Sequence, residues 1–196
     1  MTDRKPQLTI SLLSSGRSKT IERCLSSLAP FKEQLDTEII VVDTDPEHRQ
    51  DVHEVLEKYA DKIMPFEWIN DFSAARNVSI DAARSEWYLF IDDDEWFIDP
   101  QPAIEFLLSD NKDKYRWTNF LICNYHDERM KLFSEAWVSR LFRIDGGTRF
   151  VGSVHEIPKP VEGRPINIKA TLGHTGYIFS NDEERIAHAR RNMELL

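Results

Sequence analysis

The sequence contains few cysteines and no apolar run long enough to cross a membrane. Its two cysteines, Cys24 and Cys123, each lie within an apolar pattern, and so sparse a pair does not form the disulfide framework of a small secreted domain. No leader of charged and then apolar residues opens the chain. We therefore expect reduced core cysteines in a cytoplasmic protein, with peripheral association at the inner face of the membrane left open.

Positive charge is also scarce. The 25 lysines and arginines are outnumbered by 34 acidic residues, which gives a net charge of −9. Nucleic-acid binding proteins need a basic face, so this balance argues against a nucleic-acid partner. It does not argue against a nucleotide substrate, because a divalent cation can mediate between carboxylates and phosphates.

Several short catalytic motifs are missing as well. The chain has no GxSxG or similar serine–histidine arrangement, no CxxC knuckle, and no GxGxxG or GxxxxGK[ST] phosphate loop. These absences argue against a serine hydrolase, a zinc-knuckle protein and a P-loop enzyme.

The clearest structural pattern lies in residues 70–97. Apolar residues at positions 72, 75, 78 and 82 recur near helical spacing, and Asn70 or Asp71 can cap the first turn. The run at 87–91 is wholly apolar and predicts a strand covered on both faces. Asp92, Asp93 and Asp94 follow it directly. Alternate side chains on an extended chain point the same way, so Asp92 and Asp94 are candidate ligands of Mg²⁺ or Mn²⁺.

The rest of the chain predicts an α/β fold in one domain, residues 1–196. Strands at 8–13, 38–43 and 62–67 alternate with helices, one opening at Asp45-Pro46, which predicts a mainly parallel, nucleotide-binding layer over residues 1–110. Residues 111–196 read mostly as strands (115–125, 136–144, 149–158 and 166–175), which we expect to extend the sheet in antiparallel fashion. A capping box at 180–183 predicts a final helix through Ile186, Ala189 and Met193, and the chain ends within its pattern, as a truncated domain would.

Polar residues follow the predicted strands where ligands bind in open α/β sheets. Ser14 and Arg17 lie in the loop after the first strand, and Asp43 ends the second. Arg76 and Asn77 lie in the first turns of the central helix. Arg76 can bind phosphate or neutralise the acidic run. Each residue also has an ordinary structural interpretation, since turn aspartates and solvated loop arginines are common.

Two late segments add candidates for chemistry. His155 and Glu156 lie in RFVGSVHEIP, and His174 lies in LGHTGY. A late carboxylate can act as general base towards an incoming hydroxyl, and a late histidine can complete a metal shell that already holds carboxylates. Either histidine can equally be a satisfied strand residue.

The order of these motifs resembles the inverting family 2 glycosyltransferases with a GT-A fold. The segments that carry the resemblance span nearly the whole chain: TIERCLSSL, EIIVVDT, DFSAARN, WYLFIDDDEW, RLFRI, VGSVHE and LGHTGY. The resemblance implies that a sugar is transferred from a nucleotide-diphosphate donor, a UDP-sugar above all, to a glycan, lipid-linked or protein acceptor.

The resemblance also assigns roles by position. Asp43 would bind the nucleobase, Arg76 and Asn77 would support the nucleotide end, and Asp92 would contact ribose or metal. Asp94 would be the main ligand of Mn²⁺ or Mg²⁺, and Glu156 would be the base, with His155 beside it. Ser14, Arg17 and Asp93 complete the expected donor-binding residues, and His174 the expected metal ligands.

Two alternatives remain. A nucleotidylyltransferase shares acidic metal chemistry on a similar layer, and a non-catalytic sugar-nucleotide or glycan-binding module shares the fold. The chain reads SSGRS and VVDTDPE where the family commonly has KNE or TYN and GSTD. Both segments lie beside the nucleotide, so base and sugar specificity stay open.

Overall fold

The computed structural model describes residues 5–16, 18–45, 47, 49–160, 162–179, 181–183, 185, 186 and 190. Within these residues the helices are α1 Ser18–Ser26, α2 Ala29–Gln34, α3 Gln50–Tyr59, α4 Phe72–Ala82 and α5 Gln101–Leu108, followed by a short 3-10 helix at Asp110–Lys114. The strands are β1 Leu8–Ser14, β2 Thr37–Asp43, β3 Lys62–Pro65, β4 Trp87–Asp92, β5 Glu95–Asp99, β6 Trp117–Tyr125, β7 Phe133–Arg143, β8 Arg149–Val151, β9 Ile157–Lys159 and β10 Ile166–His174.

One eight-stranded sheet dominates the fold, in the order β3-β2-β1-β4-β7-β6-β10-β5. The strands β3, β2, β1 and β4 pair in parallel, whereas β7 pairs antiparallel with β4 and β6. This arrangement confirms the predicted α/β class, with a mainly parallel sheet extended in the second half. The strands β8 and β9 form a separate two-stranded sheet.

Two features of the sheet differ from the prediction. The strands β6 and β10 pair in parallel, although antiparallel pairing was expected throughout the second half. The strand β5 was not predicted at all, and it pairs with β10 at the far edge. Only Asp93 and Asp94 separate β4 from β5, so the sheet must curl to bring its far edge back beside β4.

Helices cover both faces of the parallel strands, because these strands carry apolar side chains on both faces of the sheet. Leu12 of β1 belongs to the large core that packs against α1, α2, α3 and α5. The next residue, Leu13, packs on the opposite face with Ala75 of α4. Cys24 and Cys123 are both buried free thiols, as predicted for core residues.

The helix α4 begins as the sequence predicts. Asp71 is the capping residue, because its Oδ1 accepts the backbone N–H of Ala74 at 3.0 Å. Asn70 instead accepts a hydrogen bond from the indole of Trp68. The helix predicted from Asp45-Pro46 starts later, at Gln50, while Asp45 accepts the N–H groups of Glu47 and Arg49 in the preceding turn.

Three predicted features lie on residues that the structure does not describe. Pro46 is one, and Arg17 in the first loop is another. The predicted final helix falls largely outside the described residues, including Ala189 and Met193. Among the helices that are described, none is both long and apolar enough to span a membrane.

Candidate active site

Three strands end at one edge of the sheet, and each ends in a polar side chain. The register aligns Ser14 of β1 with Asp43 of β2, and Leu13 of β1 with Asp92 of β4. Ser14 and Asp43 are therefore direct neighbours, and Asp92 lies on the strand on the other side of β1. This is the carboxyl edge at which open α/β sheets bind ligands.

The acidic turn after β4 is tied to the first loop. Asp93 is buried, and its Oδ2 accepts both the N–H and the hydroxyl of Ser15 at 2.8 Å. These bonds fix the turn against the end of β1. Asp93 thereby helps to shape the edge, and its predicted contact with substrate stays a prediction.

Arg76 joins two of the predicted acidic residues. Its Nε donates to Glu156 Oε1 at 2.5 Å and its Nη2 donates to Asp92 Oδ1 at 2.6 Å. The Arg76 side chain is 3% exposed, against 12% for Glu156 and 37% for Asp92. Arg76 thus neutralises Asp92 of the acidic run, as one of its two predicted roles required. The same guanidinium also binds Glu156, which is 80 residues away in the sequence.

The charges around Arg76 set its protonation and that of Asp92. Burial acts against the charge of Arg76, but Asp92 and Glu156 outweigh it and raise the pKa of the guanidinium. Burial likewise acts against ionisation of Asp92, yet Arg76 and Arg140 lower the pKa of that carboxyl to about 2. Both groups therefore remain charged at neutral pH.

A second buried ion pair lies beside the first. Arg140 of β7 donates to Glu95 from Nη2 at 2.6 Å and from Nε at 3.2 Å, and its Nη2 lies 3.7 Å from Asp92 Oδ2. Sequence reasoning missed both residues as site residues. Glu95 follows the three aspartates and Arg140 lies in RLFRI, so both were within quoted motifs, but their pairing depends on how the sheet curls.

The loop that carries Glu156 is anchored to α4. The Asn77 side chain exchanges two hydrogen bonds with the backbone of Phe150, at 2.9 and 3.0 Å, and the N–H of Phe72 donates to Ser153 at 3.0 Å. The amide of Asn77 thus holds β8 in place, and its predicted role at the nucleotide stays a prediction. His155 has a φ of 52° and an exposed side chain.

Asp94 and His174 meet at the same edge. His174 Nε2 lies 3.7 Å from Asp94 Oδ1, while His174 Nδ1 is 2.8 Å from Asn124 Oδ1. Gly176 lies against both residues: a Cβ on it would collide with His174 Nε2 and lie 3.0 Å from Asp94 Oδ2. Because Gly176 has no side chain, the space between the carboxylate of Asp94 and the imidazole of His174 stays open.

The predicted three-residue metal set is not assembled. Among the described residues, no group of three histidine, cysteine, aspartate or glutamate side chains converges to hold a metal ion. The physical reason is the position of Asp92, whose carboxylate faces Arg76 and Arg140. Asp94 and His174 do fit a shared ion, since their 3.7 Å separation is less than twice a metal–ligand distance of about 2.1 Å.

Buried polar atoms without hydrogen-bond partners occur on two residues of this site. Within the described part of the chain, three buried side-chain atoms have no hydrogen-bond partner: Ser14 Oγ, Arg76 Nη1 and Trp87 Nε1. An unpaired buried polar group costs about 1–3 kcal/mol. Two of the three, Ser14 Oγ and Arg76 Nη1, belong to residues that were predicted to bind the donor.

Removing the charge of Arg76 should destabilise the protein. In Arg76→Gln, Asp92 and Glu156 lose their shared counter-ion, so we expect the free energy of unfolding to fall by about 3 kcal/mol in urea denaturation. Arg149→Gln is the matched control, because its partner Asp81 is exposed and such pairs contribute at most about 1 kcal/mol. Equal losses in the two variants would contradict a structural role for the Arg76 network.

Comparison with known proteins identifies a family. A family model described as glycosyl transferase family 2 matches residues 14–156. The SPbeta prophage-derived glycosyltransferase SunS of Bacillus subtilis (strain 168) is 31% identical over 205 residues, which cover 97% of this chain and 44% of that protein. A TPR repeat-containing protein of Synechococcus elongatus is 35% identical over 92 residues, covering 47% and 21%. The chain spans less than half the length of these curated relatives.

Solved structures show a weaker similarity. S. aureus TarS 1-349 in complex with UDP-GlcNAc is 19% identical with a TM-score of 0.45, covering 62% of this chain and 34% of that one. The mannosyltransferase PcManGT from Pyrobaculum calidifontis in complex with GDP-Man and Mn²⁺ is 17% identical with a TM-score of 0.44, covering 65% and 37%.

Proposed function

The chain belongs to glycosyl transferase family 2, and from that premise we propose that it transfers a sugar from a nucleotide-diphosphate donor to an acceptor hydroxyl, with a divalent metal ion and with inversion. One observation carries the proposal: strand-end carboxylates, the Asp94–His174 pair and the buried Arg76–Glu156 pair all lie at the carboxyl edge of the sheet. The donor is a UDP-sugar in this proposal, and the acceptor is a glycan, a lipid-linked glycan or a protein.

The donor would lie across the ends of β1, β2 and β4. Asp43 would accept a hydrogen bond from the nucleobase, next to the unpaired Ser14 Oγ. Asp92 would contact the ribose. Arg76 Nη1, which has no hydrogen-bond partner among the described residues, would donate a hydrogen bond to an oxygen of the nucleotide-sugar. A ligand that satisfies buried unpaired groups gains affinity from them.

Asp94 and His174 are the residues that would hold Mn²⁺ or Mg²⁺, with diphosphate oxygens completing the shell. A bound ion would offset the negative charge that develops on the departing diphosphate. The chain's own contribution is to orient the two donors: Asn124 binds His174 Nδ1, which leaves Nε2 towards Asp94.

Glu156 is the proposed general base. The acceptor oxygen forms a bond to the anomeric carbon while the bond from that carbon to the diphosphate oxygen breaks, and the hydroxyl proton passes to Glu156. Because Oε1 of Glu156 is bound to Arg76, the second oxygen, Oε2, takes the proton in this proposal. A single displacement from the opposite face inverts the configuration.

A non-catalytic nucleotide-sugar or glycan-binding module is the second candidate. The observation that favours it is the ion pair that engages Glu156 with Arg76. Both candidates predict nucleotide binding, whereas only the enzyme predicts turnover. Family membership favours sugar transfer over the nucleotidylyltransferase alternative.

The test is a donor turnover assay. The chain is incubated with a panel of UDP- and GDP-sugars and candidate acceptors, and release of the nucleoside diphosphate is measured with Mn²⁺ and with EDTA. We expect release from one donor class that depends on both metal and acceptor. Tight nucleotide binding with no turnover in any combination would favour the binding module.

Gly176→Ala should specifically weaken metal-dependent binding. The added methyl group would displace the His174 ring from Asp94, so we expect the effect of Mn²⁺ on nucleotide affinity to fall by at least about tenfold in calorimetry. Gly146→Ala is the control, because nothing lies within 4 Å of its Cβ position. An unchanged effect of Mn²⁺ in Gly176→Ala would argue against a metal between Asp94 and His174.

A further inference from the structure

Glu95 and Arg140 form a buried pair that the proposed function does not use. Glu95 is 2% exposed and accepts two guanidinium nitrogens of Arg140, which is 15% exposed. Glu95 Oε2 also accepts the backbone N–H of Asp92 at 3.3 Å. Glu95 therefore fixes both the arginine and the backbone of the carboxylate that the arginine faces.

The pair belongs to one line of alternating charge. From Glu156 the line runs through Arg76, Asp92 and Arg140 to Glu95, with neighbouring members 2.5, 2.6, 3.7 and 2.6 Å apart. Asp92 is the middle member, and each of its oxygens faces a different arginine: Oδ1 faces Arg76 and Oδ2 faces Arg140. The orientation of its carboxylate thus depends on both arginines.

Both arginines lie close to one aromatic ring. The guanidinium of Arg76 lies 4.7 Å from the centroid of Phe90, and that of Arg140 lies 4.8 Å from the same centroid. Both cations gain from the ring quadrupole, and their planes are held by it. Phe90 and Glu95 therefore both contact the Arg140 guanidinium and hold it in place.

We propose that Arg140, held by Glu95, is a positioning residue of the donor site. Arg140 attracts Oδ2 of Asp92, so that the carboxylate does not turn both of its oxygens towards Arg76. The inference rests on the proposed function, because it assigns Asp92 to donor binding. Without Arg140, Asp92 would turn towards the only remaining cation of the line, and Arg76 would share its donors differently between Asp92 and Glu156. The effect falls on donor affinity, since Arg140 does not touch reacting atoms.

The experiment measures UDP and GDP affinity with Mn²⁺ by calorimetry for the whole chain and for Arg140→Gln, Glu95→Gln and the double variant. We expect each single variant to weaken binding by about 10- to 100-fold, and the double variant to be no weaker than the poorer single one, because the two residues act as one unit. Turnover at saturating donor should change much less than KM.

Arg143→Gln is the control. Arg143 lies on the same strand and pairs with Glu86 near Trp87, away from the site, so its loss should lower Tm without changing nucleotide affinity. Arg140→Lys keeps the charge and loses the two-nitrogen fork, and it should restore only part of the affinity.

Two results would overturn the inference. If Arg140→Gln lowered Tm as Arg143→Gln does but bound nucleotide like the wild type, the pair would be structural only. If, in addition, the wild type bound nucleotide with Mn²⁺ and Asp94→Ala abolished the metal effect, the proposed function would stand while the inference failed. If the wild type bound no nucleotide at all, the proposed function would fail and the inference with it.

Discussion

Asp94→Ala should abolish the metal-dependent part of nucleotide binding while the protein stays folded. In the proposed metal site, Asp94 is the oxygen ligand opposite His174 Nε2, and one histidine nitrogen alone does not retain a hard cation against water. Removing one carboxylate from four consecutive acidic residues also relieves like-charge repulsion. We therefore expect UDP affinity to become independent of Mn²⁺ in calorimetry, with little change in Tm.

Asp99→Ala is the matched control for this variant. Asp99 ends β5, a few residues further along the chain, and its side chain accepts only a local N–H from Gln101 among the bonds observed. It should leave the Mn²⁺ effect intact. Metal-dependent binding of wild-type strength in Asp94→Ala would show that the ion, if used, is held elsewhere.

Glu156→Gln should retain donor affinity and lose transfer. Glutamine keeps an oxygen that can accept the Nε–H of Arg76, so the loop stays in place, but it cannot take a proton from an acceptor hydroxyl. Loss of a general base lowers the rate by about 10²- to 10⁴-fold. The measurement is nucleoside diphosphate release at saturating donor, together with UDP affinity by calorimetry.

Glu162→Gln is the control for the base assignment, because Glu162 is an exposed glutamate a few residues further along the chain. Its rate should match that of the wild type. An unchanged rate in Glu156→Gln would remove Glu156 as the base. A drop in UDP affinity equal to the drop in rate would instead assign Glu156 to donor binding through Arg76.

Local signals in the sequence predict the parallel half of the fold and one edge of the site. The Asp71 cap of α4, the apolar strand β4 and the carboxylates that end β2 and β4 all follow from short-range patterns, and the structure contains each of them. The position of Asp43 and Asp92 at the carboxyl ends of parallel strands follows from the parallel register. These features need only the neighbouring residues and one topological rule.

The features that sequence did not predict depend on distant parts of the chain. Two residues separate the strand β5 from β4, but β5 pairs with β10. The presence of β5 therefore depends on the curl of the whole sheet, which no local pattern indicates. The same curl brings Glu95 to Arg140 across 45 residues. The orientation of the Asp92 carboxylate towards two arginines follows from this pairing, and no local sequence pattern indicates it.

The most direct measurement is a calorimetric titration of the wild-type chain with UDP and with GDP, each with and without Mn²⁺. We expect that one nucleotide binds, that Mn²⁺ strengthens its binding by at least about tenfold, and that Asp94→Ala removes that gain. Absence of binding by either nucleotide, with metal present and the protein folded, would contradict the proposal that this edge of the sheet is a nucleotide-sugar site.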